Sequence, residues 1–104
     1  MGFFGIFDEK EPSRAEAQLH AIVHGRVQGV GFRWWTAGEA KPLGLVGFAK
    51  NLDDGTVEVL AQGSRSACQQ LLDTLNSGDT AGHVEHVDAE IGEPEGKYKG
   101  FATY

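Results

Sequence analysis

The chain has 104 residues, a formal net charge of −6 at pH 7 and a hydrophobic fraction of 40%, which indicates one compact globular domain and excludes two of ordinary size. The acidic balance argues against a nucleic-acid partner, because such proteins normally present a broad basic face. The single cysteine, Cys68, excludes an intramolecular disulfide and suits a reducing compartment, so we expect a cytoplasmic protein.

Residues 1–18 are expected to form an N-terminal extension to a domain that spans 19–104. They join an aromatic cluster, Phe3, Phe4 and Phe7, to a charged stretch with neither a helix nor a strand period. Such chain ends are usually flexible; the alternative is that the phenylalanines dock on the domain or on a partner. The apolar start "MGFFGIF" is too short for a bilayer span and lacks the basic region of a signal peptide, so we expect no membrane contact.

The first regular element is a strand. Apolar residues alternate with polar ones from Leu19 onward, which places Leu19, Ala21 and Val23 on one face. The stretch "GRVQGVGFR", residues 25–33, follows this strand with three glycines, two arginines and no acid. Such a stretch is either a tight turn or a cradle for an anion.

A helix is expected at residues 33–43, where apolar residues fall on neighbouring turns and Gly44 supplies a C-terminal stop. Pro42 is unfavourable there, because its ring crowds the carbonyl four residues earlier and removes one hydrogen bond. Gly38 occupies that earlier position and leaves the backbone freer to bend.

A hairpin and a second helix come next. Residues 45–52 and 56–63 are rich in strand-forming residues and flank "DDG", a connection typical of hairpins. Ser64 or Ser66 can cap a helix in which Cys68 and three leucines fall at i, i+3, i+4 and i+7. This spacing makes Cys68 a core residue rather than a nucleophile.

Two more segments complete the pattern. Polar and apolar residues alternate over 83–92, which predicts a fourth strand, although the pattern does not decide which face of its first half is buried. The terminal "FATY" can add a short fifth strand. The order strand, helix, strand, strand, helix, strand is the split βαβ arrangement. It predicts an α+β, ferredoxin-like βαββαβ sandwich, with a four-stranded antiparallel sheet and both helices on one face.

The glycine-rich stretch has the composition of an anion site. A strand, a glycine loop and a helix start can bind phosphate, since backbone N–H groups turn inward beside the positive end of the helix dipole. Gly29 and Gly31 lack side chains that would fill such a cradle, and Arg33 can extend its planar donors toward a phosphate. A simple turn is an equal alternative on the motif alone. Arg26, on the polar strand face, is expected in solvent.

Asn51 lies at the end of the second strand, in "KNLDDG". If the first and second strands are sheet partners, that end lies beside the glycine-rich loop. Its carboxamide, which both donates and accepts hydrogen bonds, could hold a water beside a bound phosphate for in-line attack. The alternative is that Asn51 only favours the turn.

Together these motifs resemble the acylphosphatase family. The resemblance rests on "GRVQGVGFR", on "GFAKNLDDGTVEVLAQG" after 13 intervening residues, on "HVEHV" and on the terminal aromatic strand, and it covers residues 19–104. It implies a small sandwich enzyme that hydrolyses the carboxyl–phosphate anhydride of small acyl phosphates, such as acetyl or benzoyl phosphate. It further implies that Arg33 binds the phosphoryl group and that Asn51 positions the attacking water. The implied phosphate cradle consists of the backbone amides of Gln28, Gly29, Val30, Gly31, Phe32 and Arg33.

The implied mechanism relies on positioning. A carboxylate is a good leaving group, so electrostatic stabilisation and water positioning can supply most of the acceleration. Neither Arg33 nor Asn51 is a base at neutral pH, so the phosphate itself can accept the proton of the water. We expect no metal, no cofactor and a monomeric enzyme. In two departures from the family, Phe48 replaces a common tryptophan and Thr103 a frequent arginine, which puts a stabilising contact of that arginine in doubt.

Other chemistry-bearing residues are expected to be structural. Simple alternation places His83 and His86 on opposite strand faces, and no ligand set for a metal is evident. Asp53 and Asp54 are typical of a turn. Two tryptophans at the helix start, Trp34 and Trp35, are expected to pack near the core, with one partly exposed. The histidines expected at surface or edge positions are His20, His24, His83 and His86.

Two functions other than hydrolysis are compatible with this pattern of elements. A ferredoxin-like module could hold phosphate or a phosphorylated partner without turnover, which calorimetry without hydrolysis would reveal. RNA binding through the open sheet face shares the element order, but the exposed aromatic pair expected on the central strands is missing and the charge is acidic.

Overall fold

The computed structural model describes residues 15–104, which form five strands and two helices. The elements are β1 (Ala17–Arg26), α1 (Phe32–Ala40), a 3-10 helix (Lys41–Leu43), β2 (Val46–Asn51), β3 (Val57–Gly63), α2 (Arg65–Leu75), β4 (His83–Gly92) and β5 (Phe101–Thr103). The element order predicted from periodicity is confirmed, and "FATY" contributes the fifth strand. Phe3, Phe4 and Phe7 lie outside the described residues.

The strands form one sheet in the order β4-β1-β3-β2-β5. β1 pairs antiparallel with β3 and with β4, and β2 pairs antiparallel with β3. β5 pairs parallel with β2, so the sheet is mixed instead of purely antiparallel. Both helices pack on one face of this sheet, and the ferredoxin-like α+β fold is confirmed.

β1 and β2 are not sheet partners, because β3 lies between them, so the condition stated for placing Asn51 beside the loop is not met in that form. The short hairpin pairs β2 with β3, and the longer crossover through α1 spans two strand positions and leaves room for β3. The end of β2 still lies level with the end of β1, since Asn51 is opposite Val57 and Val57 is opposite Val23. Asn51 is therefore two strand spacings from β1, about 10 Å.

Alternation determines which sheet face is buried. The fully buried sheet residues on the helix side include Leu19, Ala21, Val23, Val57, Val59 and Ala61. α2 begins after Ser64, whose hydroxyl accepts a hydrogen bond from the Ala67 amide at 3.0 Å. Its buried face includes Cys68 and Leu71, and each large apolar side chain buried there contributes about 1.5–3 kcal/mol. Among residues 15–104, no helix is long and apolar enough to cross a membrane.

The first helix ends earlier than its pattern predicts. α1 stops at Ala40 and continues as a 3-10 helix over Lys41–Leu43, with Pro42 in its first turn. The change has a direct cause, because Pro42 has no N–H to donate to the carbonyl of Gly38 and its ring would clash with that carbonyl. Gly44 then ends the segment in the left-handed conformation, at a φ of 76°.

A bulge explains why the first half of β4 alternates poorly. The pairing with β1 shifts between His24 and Gly25, so that His86 is opposite His24 but Val84 is opposite Gly25. The shift turns Val84 toward the core. His83, opposite Arg26, then shares the open face with His86, which corrects the expectation that the two histidines lie on opposite faces.

Candidate active site

The loop between β1 and α1 is fixed at its start by Val27, which is buried. Gly29 and Gly31 have φ angles of 75° and 79°, the left-handed region that residues with a Cβ rarely adopt. A Cβ at either position would meet no atom of the described residues within 4 Å. Glycine is therefore required by the backbone turn, and the space beside it is open.

The N-terminus of α1 carries free amide donors. Gly31 precedes the helix as its N-cap residue, and no side chain of the described part of the chain caps it. The first helical hydrogen bond runs from the Trp35 amide to the Gly31 carbonyl at 2.9 Å, which leaves the amides of Phe32, Arg33 and Trp34 without intrahelical partners. No acidic residue occupies the first turn. These donors and the positive end of the helix dipole suit an anion.

The guanidinium of Arg33 and the backbone amide of Asn51 meet at one atom, the main-chain oxygen of Tyr104. Arg33 Nη1 donates to this oxygen at 2.7 Å, and the backbone amide of Asn51 donates to it at 3.1 Å. The amide of Tyr104 in turn donates to the Ala49 carbonyl at 2.9 Å. The chain after β5 thus brings the guanidinium to the end of β2.

The side chain of Asn51 has an unused acceptor. Asn51 shares its face of β2 with Gly47 and Ala49, the face that packs against the helices. Its Oδ1 is the one buried side-chain nitrogen or oxygen of residues 15–104 without a hydrogen-bond partner. Burying a polar atom without a partner costs about 1–3 kcal/mol. A donor such as a water fits this position chemically.

Gln28 connects the loop to the β2–β3 hairpin. Its Nε2 donates to the carbonyls of Leu52 and Thr56, each at 2.8 Å. The side chain is therefore engaged with the hairpin, and only the backbone amide of Gln28 is available to a phosphate. The sequence pattern missed this connection, because its acceptors are backbone carbonyls that every residue type carries.

The hairpin turn is closed by Asp54. Its Oδ1 accepts from the hydroxyl of Thr56 at 2.6 Å and from the Thr56 amide at 3.0 Å. These two hydrogen bonds, the hydroxyl first, hold the pKa of Asp54 below its ordinary value of 3.8. Asp54 thus belongs to the turn that follows Asn51, in agreement with its interpretation as a turn residue.

Three of the four histidines, His20, His24 and His86, pair with carboxylates on the open sheet face. His20 Nε2 lies 2.7 Å from Glu58 Oε2, and Asp88 lies between His86 at 2.6 Å and His24 at 3.1 Å. His86 and then His24 hold the pKa of Asp88 below its ordinary value. In the described region, no group of three or more His, Cys, Asp or Glu residues is arranged to hold a metal.

The remaining candidate residues from the sequence differ in how far they are buried. Arg26 is exposed, as expected for the polar strand face. Trp35 packs on Phe32 with ring centroids 5.4 Å apart, whereas Trp34 is exposed. Cys68 is buried, its thiol donates to the Ala61 carbonyl at 3.6 Å, and burial raises its pKa, so it is a core residue.

Phe48 and the terminal strand show how the two departures from the family pattern are accommodated. Phe48 is half-buried between the rings of Tyr98 and Tyr104, each 5.9 Å away. Thr103 is exposed. The terminal segment contacts Arg33 through the backbone carbonyl of Tyr104, a contact that does not depend on the side chain at position 103.

Comparisons with known proteins agree with one another. The family model described as Acylphosphatase matches residues 19–103. An acylphosphatase of Mycolicibacterium smegmatis is 57% identical over 91 residues, which cover 88% of this chain and 93% of the relative. A crystal structure of acylphosphatase from Bacillus subtilis is similar with a TM-score of 0.77 and 35% identity, covering 85% of this chain and 98% of that one. An acylphosphatase structure from Coxiella burnetii gives a TM-score of 0.75 and 35% identity, covering 86% and 94%.

Proposed function

Because the chain belongs to the acylphosphatase family and is therefore an acyl-phosphate hydrolase, we propose that Arg33 and the loop amides bind the phosphoryl group while Asn51 positions the attacking water. The observation that carries this assignment is the shared acceptor. The main-chain oxygen of Tyr104 accepts hydrogen bonds from Arg33 Nη1 and from the Asn51 amide, and Arg33 lies in the first turn of a helix whose N-terminal amides have no side-chain cap.

In this proposal, the substrate phosphoryl oxygens accept hydrogen bonds from the amides of Gln28, Gly29, Val30, Gly31, Phe32 and Arg33 and from the guanidinium of Arg33. These donors stabilise the negative charge that moves through the phosphoryl group during displacement. A rigid loop, fixed by the Gln28 side chain to the hairpin, keeps the donors in place without reorganisation.

The attacking water donates a hydrogen bond to Asn51 Oδ1, the buried acceptor that has no partner in the described residues. Its oxygen forms a bond to phosphorus as the bond from phosphorus to the acyl oxygen breaks in line. The electron pair of the broken bond leaves on the carboxylate, and the proton of the water passes to a phosphate oxygen. No general acid is needed, because the carboxylate is a weak base.

The substrate class, the domain boundary, the absence of a cofactor and the oligomeric state are part of the same proposal. Small acyl phosphates are the substrates. The catalytic domain spans residues 17–104, two residues more than the pattern predicts, because β1 begins at Ala17, and the residues before it are an extension. Metal and cofactor are not required, because positioned donors can supply the charge stabilisation. The enzyme acts as a monomer in the cytoplasm, where its single cysteine stays reduced.

The test compares Arg33→Ala with Arg26→Ala on benzoyl phosphate in the presence of a chelator. Arg33→Ala should lower kcat/KM by about 10²–10³-fold, the usual effect of removing a donor that stabilises the transition state. Arg26→Ala should leave kcat/KM nearly unchanged, because Arg26 is exposed. Arg33→Lys keeps the positive charge but not the planar guanidinium, so its kcat/KM should lie between the values of the two alanine variants.

The same proteins should leave an alkyl phosphate monoester almost unhydrolysed, because its alkoxide leaving group is a strong base and needs an acid that this site does not supply. Full activity of Arg33→Ala or loss of wild-type activity in the chelator would overturn the proposal. Calorimetric binding of phosphate without turnover of any acyl phosphate would point instead to a binding module.

A further inference from the structure

One stripe of α1 continues from the glycine-rich loop. Gly31, Trp34, Trp35, Gly38 and Lys41 recur at the three- and four-residue spacing that places side chains on one side of a helix. Together with Ala37 and Glu39, they line an open groove of about 510 Å³. This volume lies within the range typical of small-molecule sites, about 300–1,000 Å³.

The groove opens at the proposed phosphate site. Gly31 is both a lining residue of the groove and the N-cap residue of α1. The uncapped amides of the loop are therefore at one end of the groove, and Arg33 lies between Gly31 and Trp34 in the chain. A ligand anchored by its phosphoryl group at these amides has the groove directly beside it.

The walls of the groove are aromatic and one of them is uncovered. Trp34 is 79% exposed, although the large apolar surface of tryptophan usually packs against other residues. Trp35 is held in place by its contact with Phe32. About one turn further along the helix, Gly38 leaves the groove open, because it has no side chain and a Cβ there would meet no described atom within 4 Å.

We propose that this groove binds the acyl part of the substrate, and that Trp34 gives the enzyme a preference for acyl phosphates with a flat, apolar acyl group. This inference rests on the proposed function, since it needs the phosphoryl group at the loop amides. The indole face offers stacking surface to an aromatic ring, and the charges that border the groove, Glu39 and Lys41, are opposite and do not favour a charged acyl group.

The test measures kcat and KM for benzoyl phosphate and for acetyl phosphate in the wild type and in Trp34→Ala, Trp34→Phe and Gly38→Leu. Removing the indole should raise KM for benzoyl phosphate about 5-fold, the size expected for one aromatic contact. The rise in KM should be smaller for acetyl phosphate, because its methyl group contacts less of the groove. Trp34→Phe should recover most of the preference.

Gly38→Leu fills the groove without altering the loop, so it should reduce the benzoyl preference in the same way. Equal changes for both substrates, or no change for either, would overturn the inference. Failure of the proposed function is a separate outcome, because it would appear as full activity of Arg33→Ala on both substrates. Thermal unfolding of each variant checks that it folds.

Discussion

Two arginines seven positions apart have different environments. Arg26 is exposed at the end of β1, whereas Arg33 is half-buried and donates to the carbonyl of Tyr104. Asp53 and Asp54 are both exposed, but Asp54 alone of the two accepts the hydrogen bonds from Thr56. At the residue scale, hydrogen-bond partners and burial decide which side chains can act or stabilise, and residue type alone does not.

Cys68 should resist modification in the folded protein. Its thiol is buried against the Ala61 carbonyl, and burial raises its pKa, so little reactive thiolate forms at neutral pH. Iodoacetamide should therefore alkylate Cys68 slowly in buffer and rapidly in denaturant, as mass spectrometry would record. Fast alkylation of the folded enzyme would mean that the thiol is accessible.

Asp54 should make stability depend on pH in the acid range. Its pKa is lowered in the folded state, so the unfolded chain binds more protons at low pH. The stabilisation is fully present above the ordinary value of 3.8 and is lost as the pH falls through the lowered pKa. Asp54→Asn should lower Tm at pH 7 by a few degrees, and the gap to the wild type should narrow below about pH 4.

The neighbouring Asp53 provides the matched control for this measurement. It lies in the same turn and is equally exposed, but it does not accept the hydrogen bonds from Thr56, so Asp53→Asn should leave the acid dependence of Tm nearly unchanged. A gap between Asp54→Asn and the wild type that stays constant from pH 7 to pH 3 would show that the charge on Asp54 is not responsible.

At the scale of elements, the site depends on contacts between segments distant in the chain. The loop after β1 is joined to the β2–β3 hairpin by Gln28, and the segment after β5 is joined to α1 by Arg33. Each of these joints uses a side chain on one element and a backbone carbonyl on another. Loosening the Gln28 contact should affect catalysis without removing any group that touches substrate.

Gln28→Leu tests the joint between loop and hairpin. The substitution removes the two hydrogen bonds from Gln28, although the Thr56 carbonyl still accepts from the Leu52 amide and the Leu52 carbonyl from the Gly55 amide. The loss is therefore about 0.5–1.5 kcal/mol for each hydrogen bond. We expect Tm to fall by about 5 °C or more and kcat to fall about 10-fold, because the loop amides lose their fixed position. Unchanged kcat in a destabilised variant would limit Gln28 to a structural role.

Gly47 and Gly38 form a matched pair for testing backbone requirements. Gly47 has a φ of 148°, and a Cβ there would overlap the Leu60 carbonyl oxygen, whereas Gly38 is helical with open space around it. Gly47→Ala should destabilise the protein by about 2 kcal/mol or more. Gly38→Ala should stabilise it by about 0.5–1 kcal/mol. Denaturant unfolding gives both values, and opposite signs are expected.

At the scale of the whole molecule, local patterns predicted the elements and the separate site residues. Periods of two and of about 3.6 residues predicted the strands and helices, and the glycine loop and the end of β2 suggested Arg33 and Asn51 as candidate site residues. The patterns did not reveal that β3 separates β1 from β2, because strand order depends on long-range packing. The joints at Tyr104, Leu52 and Thr56 were also hidden, since backbone carbonyls leave no trace in a sequence.

The fold also explains how an acidic protein can hold an acidic ligand. The formal net charge is −6, yet the proposed site uses an uncapped helix N-terminus, backbone amides and one guanidinium. Several of the acidic side chains, including Glu58, Asp88 and Glu90, lie on the open sheet face, opposite to the helices. Local hydrogen-bond donors, and not the electrostatic field of the whole protein, therefore favour binding of the phosphoryl group.

The separation of roles between Arg33 and Asn51 is tested most directly by measuring kcat for benzoyl phosphate and the inhibition constant of inorganic phosphate in Asn51→Ala and the wild type. We expect kcat to fall about 100-fold, because the water loses its acceptor. The inhibition constant should stay within about 2-fold of the wild type, because Arg33 and the loop amides still bind phosphate. A retained kcat, or a loss of phosphate affinity as large as the loss of kcat, would contradict the assignment of Asn51 to the water.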